Sequence, residues 1–209
     1  MTQNRREQHA HALLCLEDAL SLGFDEPWVH YELFLAHREL NEYEEAIDAI
    51  EDALMDDPEQ CGYLEEYGSL LFSMERDEEA AEVYRQAFLL SASPYYRLRE
   101  AECLEKQGEY EEALEILREA RCEELAADVC LHEGICRNAL DDHAGALQCL
   151  EEAQLRGRDD TLLFCTKGAV LHALDRGQEG DDCYETALSY YRAAFDLNDD
   201  HRSLYQEMI

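Results

Sequence analysis

Residues 42–53 read Glu-Tyr-Glu-Glu-Ala-Ile-Asp-Ala-Ile-Glu-Asp-Ala, and Ala46, Ile50 and Ala53 within them form a signature of two alanines around one larger residue. These three positions are i, i+4 and i+7, so a helix would place all of them on one face. Small residues at both ends allow a second helix to approach closely around the central side chain. The stretch therefore predicts a helix with one face packed tightly against a neighbour.

The same signature recurs along the chain at a nearly constant interval. The six copies are Ala12/Leu16/Ala19, Ala46/Ile50/Ala53, Ala80/Tyr84/Ala87, Ala113/Leu117/Ala120, Ala146/Leu150/Ala153 and Ala187/Tyr191/Ala194. Their first alanines are 34, 34, 33, 33 and 41 residues apart. A period in this range is typical of stacked repeats rather than of one globular core. The long last interval predicts about seven inserted residues, read either as a longer loop before an extended capping helix or as a recognition loop.

A second set of positions indicates that each repeat is a pair of helices. Twelve residues before the first alanine of the middle four copies stand Phe34, Gly68, Ala101 and Gly134. Three of these four residues are small, which marks a second close crossing point one helix earlier in the chain. Alanine, leucine and glutamate dominate the composition, and they favour helix over strand. We therefore expect antiparallel helix pairs and almost no strand.

The segments Glu42-Tyr43-Glu44-Glu45-Ala46-Ile47 and Gly108-Glu109-Tyr110-Glu111-Glu112-Ala113-Leu114 resemble the tetratricopeptide repeat. The resemblance covers about residues 8 to 198 and implies an all-α fold, a right-handed superhelical solenoid of antiparallel helix pairs. In this family the first helices of the pairs line a concave groove that holds a peptide or a helix. Phe34 and Asp77 depart from the family pattern, which has a small residue and an aromatic residue at these positions.

We expect one continuous array over residues 1–209. Its units are predicted at about 7–26 (partial), 27–60, 61–93, 94–126, 127–159 and 160–198, with a C-terminal cap at 199–209. The last helices are predicted at 179–197 and 200–208. The partial first unit leaves leucines of the N-terminal helix with one uncovered side. That helix either packs on the next helix and frays, or forms a homodimer.

Net charge narrows the class of partner. The chain has 50 Asp and Glu residues against 17 Lys and Arg residues, a formal net charge of −33. Such a charge repels nucleic acids and anionic membranes and attracts a basic protein or peptide. The alternative is that the acidity is a solvated surface or a habit of the source organism. With no signal peptide or apolar span in the sequence, we predict a cytoplasmic protein.

The sequence predicts neither an enzyme nor a metal or cofactor site. The nine cysteines are odd in number and form no CxxC motif, so we predict mostly buried, reduced thiols. His132 and Cys136 supply only half of a metal site, which needs three or four ligands. Cys130 lies two residues from both Asp128 and His132, so it points to a different face of a helix and the three side chains do not converge. No motif for hydrolysis or phosphate binding is present.

The resemblance also implies which side chains line the groove. The predicted groove residues are Trp28, Tyr31, Leu35, Glu65, Glu66, Ser69, Phe72, Tyr95, Leu98, Arg99, Glu102, Leu131 and Ile135. We expect Trp28, Tyr31 and Tyr95 to act as flat anchors, and Glu65, Glu66 and Glu102 to pair with Lys or Arg of a partner. The alternative for Trp28 and Tyr31 is packing between helices.

Three functions remain open at this point. The first is a non-catalytic adaptor or scaffold that binds a basic, partly apolar peptide or helix. The second is a secretion-type chaperone of the same fold for an export substrate, and the third is a regulatory enzyme subunit or metal-responsive protein. Family members that grip a C-terminal carboxylate do so with Lys, Asn and Arg, whereas here only Arg99 suits, so that role is disfavoured.

Overall fold

The computed structural model describes the backbone of residues 3–207 and the side chains of residues 6–193. Its helices are α1 (Gln3–Ser21), α2 (Pro27–Leu40), α3 (Tyr43–Asp56), α4 (Cys61–Ser73), α5 (Asp77–Ser91), α6 (Pro94–Gln107), α7 (Tyr110–Glu119), α8 (Ala126–Ala139), α9 (His143–Leu155), α10 (Thr161–Ala173) and α11 (Gly177–Glu207). No strand occurs in the part of the chain so described. The predicted all-α helical-repeat fold class is confirmed.

The helices form two compact units, Met1–Cys103 and Leu104–Ile209. In the first unit α2 packs on α3 and α4 packs on α5, and α1 packs on α2. In the second unit α8 packs on α9 and α10 packs on α11, with α10 also lying against α9. Each helix pair is thus one repeat, made of a first helix and a second helix.

The repeat signature is where the packing is tightest. The signature alanines of α3, α5, α7 and α9, including Ala120 directly after α7, are fully buried, and so are the central residues Ile50, Tyr84, Leu117 and Leu150. Alanines at these positions leave room for the first helix of the same repeat. The small-large-small pattern therefore does what the sequence predicted: it brings two helices together around one buried side chain.

The last repeat corrects one prediction. A β-carbon placed on Gly68 would meet Tyr84, one on Gly134 would meet Leu150, and one on Gly168 would meet Tyr184. The spacing is the same each time, so Tyr184, and not Tyr191, is the central residue of the last copy. That copy is Gly180/Tyr184/Ala187, with glycine in the first alanine position, and it begins 34 residues after Ala146.

The predicted insertion in the last repeat is therefore absent. Only residues 174–176 separate α10 from α11, so neither a longer loop nor a recognition loop exists there. The helix α11 also continues without a break through residues 198 and 199, where the sequence predicts the end of one helix and the start of a short second helix. Its 31 residues extend well beyond the 13-residue α10 on which it packs.

Proline residues and capping carboxylates mark the starts of four helices. Pro27 and Pro94 are the first residues of α2 and α6, where a missing N–H costs nothing. The carboxylates of Asp142 and Asp160 cap α9 and α10 by accepting from the backbone N–H of the residue three positions later, Gly145 and Leu163. These caps fix where the second unit turns from one helix into the next.

Candidate functional site

The predicted groove residues lie mostly on one surface of the first unit. Eleven of the thirteen belong to α2, α4 and the part of α6 up to residue 103, and we call the surface of these three segments the first-helix face. Leu131 and Ile135 lie on α8 in the second unit. The candidate site described below therefore consists of residues in the first unit alone.

Burial sorts these residues into contact surface and core. Trp28 is 56% exposed, and Tyr95 and Ser69 are also exposed. The half-buried members are Tyr31, Leu35, Glu65, Glu66, Phe72, Arg99, Glu102 and, in the second unit, Ile135. Leu98 and Leu131 are buried, and Leu131 belongs to the apolar core of the second unit. Because a buried side chain offers a partner no surface, the prediction of Leu98 and Leu131 as groove residues is wrong.

Stacked aromatic rings occupy the α2–α4 part of the first-helix face. The rings of Tyr31 and Tyr63 stack with their centroids 4.5 Å apart, and Tyr31 also lies 5.9 Å from Phe34. Sequence reasoning missed Tyr63, although an aromatic residue on the next first helix, close before Glu65 and Glu66, was a usable signal. Tyr31 thus packs between helices while remaining partly accessible, which combines the two roles that the sequence left open.

Two arginines on this face are already bound by the chain itself. Arg38 forms an ion pair with Glu66, and its guanidinium lies 5.1 Å from the centre of the Phe34 ring. Arg99 forms an ion pair with Glu102 and lies 4.9 Å from the centre of the Phe72 ring. The carboxylates of Glu66 and Glu102 therefore have cationic partners within the chain.

Glu65 differs from these two carboxylates. It accepts a hydrogen bond from the Tyr96 hydroxyl at 3.3 Å, and Tyr95 interacts with it as well. Within the described residues, no arginine or lysine forms an ion pair with Glu65. Its negative charge is thus held by tyrosines at a half-buried position and is not cancelled by a cation.

The pKa values of the tyrosines indicate the electrostatic character of the first-helix face. The pKa values of Tyr31, Tyr63 and Tyr95 are raised, first by burial and then by nearby carboxylates, which are Glu66, Asp57 and Glu65 respectively. Burial together with Glu65 raises the pKa of Tyr96 to about 12. A carboxylate that opposes ionisation of a phenol stabilises a nearby cation by the same interaction. The face therefore has the electrostatics to attract Lys or Arg.

The residues in the second unit that could resemble a catalytic or metal site do not converge. His132 Nδ1 lies 2.8 Å from a Glu105 carboxylate oxygen, and Cys136 Sγ lies 3.9 Å from the same oxygen. Asp128 pairs with Arg158 instead. No group of three or more His, Cys, Asp or Glu side chains in the described part of the chain has the arrangement of a metal site.

A cleft of about 330 Å³ in the second unit was not foreseen from the sequence. It is lined by Arg121, Cys122, Glu123, Ala126, Cys130 and Arg156. Arg121 donates to the buried carboxylate of Glu133 at 2.6 Å, and Arg156 donates to Glu152 at 2.7 Å. Burial raises the pKa of the Cys130 thiol. With both guanidiniums engaged and the thiol kept protonated, the cleft offers neither a free cation pair nor an activated nucleophile.

The cysteines are less buried than the sequence predicted. All nine are free thiols, but only Cys103, Cys130 and Cys136 are buried, while Cys15 and Cys165 are exposed. The remaining four are partly accessible. Among the helices described, none combines the length and the apolar character needed to cross a bilayer.

Comparison with known proteins identifies the fold. A family model for subunit 3 of the anaphase-promoting complex, or cyclosome, matches residues 39–120, and no curated protein matches the sequence. The chain is similar in structure to MamA from Desulfovibrio magneticus RS-1, with a TM-score of 0.70 and 14% identity over 81% of this chain and 97% of that one. It is also similar to a tetratricopeptide repeat protein from Parabacteroides merdae ATCC 43184, with a TM-score of 0.64 and 19% identity over 90% and 74% of the two chains.

A third similar structure is YrrB, described as a TPR protein with an unusual peptide-binding site. It matches with a TM-score of 0.61 and 16% identity over 93% of this chain and 98% of that one. At such low identity these likenesses show the fold and not the function. The resemblance to tetratricopeptide repeat proteins that the sequence predicted is confirmed at the level of the fold.

Proposed function

Because this chain has the fold of tetratricopeptide repeat proteins, we propose that it is a non-catalytic scaffold that binds a basic, partly apolar segment of another protein on its first-helix face. Structural relatives include a protein described by its peptide-binding site, which supports a protein or peptide partner for this chain too. The residues of the face itself favour a partner of basic character.

The observation that carries the proposal is the uncancelled charge of Glu65. It lies half-buried beside Tyr95 and Tyr96, whose pKa values its carboxylate helps to raise. A Lys or Arg of a partner placed there would gain a charge-assisted hydrogen bond in a partly desolvated setting, where such bonds are stronger than in water. Glu66 and Glu102, which are engaged by arginines of the chain, contribute to the potential of the face rather than a direct contact.

Two arginines of the chain itself support a geometry for a bound cation. Arg99 is held between the Phe72 ring and the Glu102 carboxylate, and Arg38 between the Phe34 ring and Glu66. An arginine of a partner would find the same combination at Tyr95 and Glu65. The exposed ring of Trp28 offers additional apolar area at the other end of the face.

The test measures the binding of synthetic peptides to the chain and then compares two glutamate variants, one on the first-helix face and one outside it. Peptides of Lys or Arg interspersed with apolar residues, and the same peptides with Gln replacing each cation, are titrated against the chain. Trp28 is the only tryptophan of the protein and lies on the face, so tryptophan-free peptides can be followed by its fluorescence. The expected result is binding of the cationic peptides only, weaker at high ionic strength.

Glu65→Gln should weaken that binding by about fivefold, the effect of one partly buried ion pair. Glu45→Gln on α3 is the matched control, because Glu45 is exposed and lies outside the first-helix face. Equal weakening by both variants would show that only net charge matters and would overturn the proposal. Binding of the neutral peptides with the same affinity would overturn it as well.

The secretion-type chaperone remains a second candidate because of one observation on α1. Leu14 is exposed, and a cleft of about 330 Å³ lies between α1 and α2. Its lining is half apolar, with Leu16 and Leu35 among the apolar residues, and half polar or charged, with His9, Glu32, Arg38 and Glu39. A homodimer through α1 would cover this surface. Analytical ultracentrifugation that shows a dimer in the wild type and a monomer in Leu14→Glu would favour the chaperone, and a monomer at every concentration would count against it.

A further inference from the structure

Two positions that are buried in the preceding repeats are exposed in the last repeat. In first helices, Leu98 of α6 and Leu131 of α8 are buried, whereas Cys165, the equivalent residue of α10, is exposed. In second helices, Leu150 of α9 is 0% exposed, whereas Tyr184 of α11 is 40% exposed. The last repeat is thus packed internally like the others but has one uncovered side.

The helix α10 covers one side of the preceding repeat, and its contacts indicate what kind of element the last repeat lacks on its own uncovered side. In the second unit, α10 lies against both α8 and α9, and Leu163, Val170 and Leu171 of α10 belong to one apolar core with Leu131 and Leu150. No described helix occupies the corresponding place on α10 and α11.

The uncovered surface is a cleft with an apolar lining. It has a volume of about 280 Å³ and is lined by Thr161, Cys165, Tyr184, Ala187, Leu188 and Tyr191, and we call it the α10–α11 cleft. On α11 the residues Tyr184, Leu188 and Tyr191 are spaced i, i+4 and i+7, so they form one stripe along the helix. All three are exposed, with Tyr191 at 64%. Exposed apolar stripes of this kind mark helix-binding surfaces.

We propose that the α10–α11 cleft binds an amphipathic helix of a basic partner protein, seated as α10 is seated on α8 and α9. The occupant would be about three to four turns long, like the 13-residue α10, with apolar residues at i and i+7 facing Cys165 and Tyr184. This surface lies in the second unit and does not depend on the partner proposed for the first-helix face.

Charge decides which kind of helix fits. Residues 177–207 of α11 contain eight carboxylates and two arginines, a net charge of −6. Asp181, three residues before Tyr184, and Glu185, three residues before Leu188, are both exposed and lie beside the stripe. A second copy of the chain would bring the same acidic helix and a total charge of −33, so self-association would place like charges together. A helix with Lys or Arg beside its apolar face is complementary to this surface.

The experiment uses two cysteines as site-specific reporters. Cys165 lies in the cleft, Cys15 lies on α1, and both are exposed. The probe is an amphipathic peptide of leucine and lysine of roughly 14 residues, long enough to form a helix of about four turns. Its controls are a scrambled peptide of the same composition and the corresponding leucine and glutamate peptide. Alkylation of each cysteine is followed by mass spectrometry.

We expect saturating leucine and lysine peptide to slow alkylation of Cys165 at least tenfold and to leave Cys15 unchanged, with neither control peptide protecting Cys165. The double variant Leu188→Ser with Tyr191→Ser should bind the peptide about tenfold more weakly, because it removes apolar area without changing charge. The matched control is Leu89→Ser with Leu155→Ser, two strongly exposed leucines outside the cleft.

Three results would overturn the proposal. The first is no protection of Cys165, or equal protection of Cys165 and Cys15. The second is equal loss of affinity in both double variants. The third is protection of Cys165 by raising the concentration of the protein alone, which would make a second copy the occupant.

Discussion

The ring of Tyr84 lies on Gly68 so closely that a β-carbon on residue 68 would be 2.9 Å from it. Gly168 and Tyr184 repeat this contact at 2.8 Å, and Gly134 makes it with Leu150 at 2.8 Å. The first helix of these repeats thus has a glycine, which leaves space at the contact. The second helix fills that space with a large side chain sixteen residues later. This pairing fixes the distance between the two helices and identifies the repeat more reliably than alanines alone.

The close contact at Gly68 predicts that replacing this helical glycine by alanine lowers stability, although alanine favours helix. Gly68→Ala should destabilise the first unit by about 1–3 kcal/mol, because the buried Tyr84 ring has no space to move into, and this overpacking exceeds the gain in helix propensity. Gly62→Ala in the same helix meets no atom closer than 3.9 Å and should stabilise by up to about 1 kcal/mol. Urea denaturation followed by circular dichroism measures both. A stabilising Gly68→Ala would show that the two helices are not in tight contact.

The corrected alignment of the last repeat makes a second prediction. Tyr184→Ala should destabilise the second unit by about 2 kcal/mol, because the ring packs on Gly168 and stacks on His172 with centroids 5.6 Å apart. Tyr191→Ala should change stability by less than about 0.5 kcal/mol, because that side chain is mostly exposed. Hydrogen exchange of α10 and α11 distinguishes the two. The reverse order of effects would restore Tyr191 as the central residue.

The sequence predicted helices well because the repeated signature acts locally. Ala46, Ile50 and Ala53 lie within two turns of one another, and such spacing determines which face of a helix is buried. The prediction failed at Gly180, because the signature of two alanines does not match a copy in which glycine, another small residue, takes the first position. The apparent seven-residue insertion was a consequence of that one misaligned position.

The candidate site was harder to predict because its interactions join distant parts of the chain. Arg38 and Glu66 are 28 residues apart, and no local pattern indicates that they pair. Leu98 lies one turn from Tyr95 on the same helix, yet it is buried whereas Tyr95 is exposed. Which of two such residues reaches the surface depends on how the helix is rotated against its neighbours, and periodicity fixes that rotation only to within about one residue position.

The raised pKa values of two thiols predict which cysteines are alkylated first. Burial raises the pKa of Cys136 to about 12, with nearby Glu105 adding to the effect, and burial raises that of Cys149 to about 11. The thiolate is the reactive form, so both residues should remain unmodified by iodoacetamide at pH 8 while exposed Cys15 and Cys165 react. Peptide mapping after timed quenching measures the order. Early modification of Cys136 in folded protein would contradict the buried, protonated state.

The cap of α9 predicts how acid affects the second unit. Asp142 accepts from the Gly145 backbone N–H at 3.0 Å and from Arg137 at 2.8 Å, and these two interactions hold its pKa below the ordinary value. A carboxyl with a lowered folded-state pKa stabilises the fold above its unfolded value near pH 4, and this stabilisation is lost as the pH falls through the folded value. Asp142→Asn keeps a capping oxygen but removes the charge, so it should lower the urea midpoint at pH 6 and leave it nearly unchanged at pH 2. Glu124→Gln, an exposed charge change in the same unit, controls for net charge. An equal deficit of Asp142→Asn at both pH values would mean that the Asp142 charge does not stabilise α9.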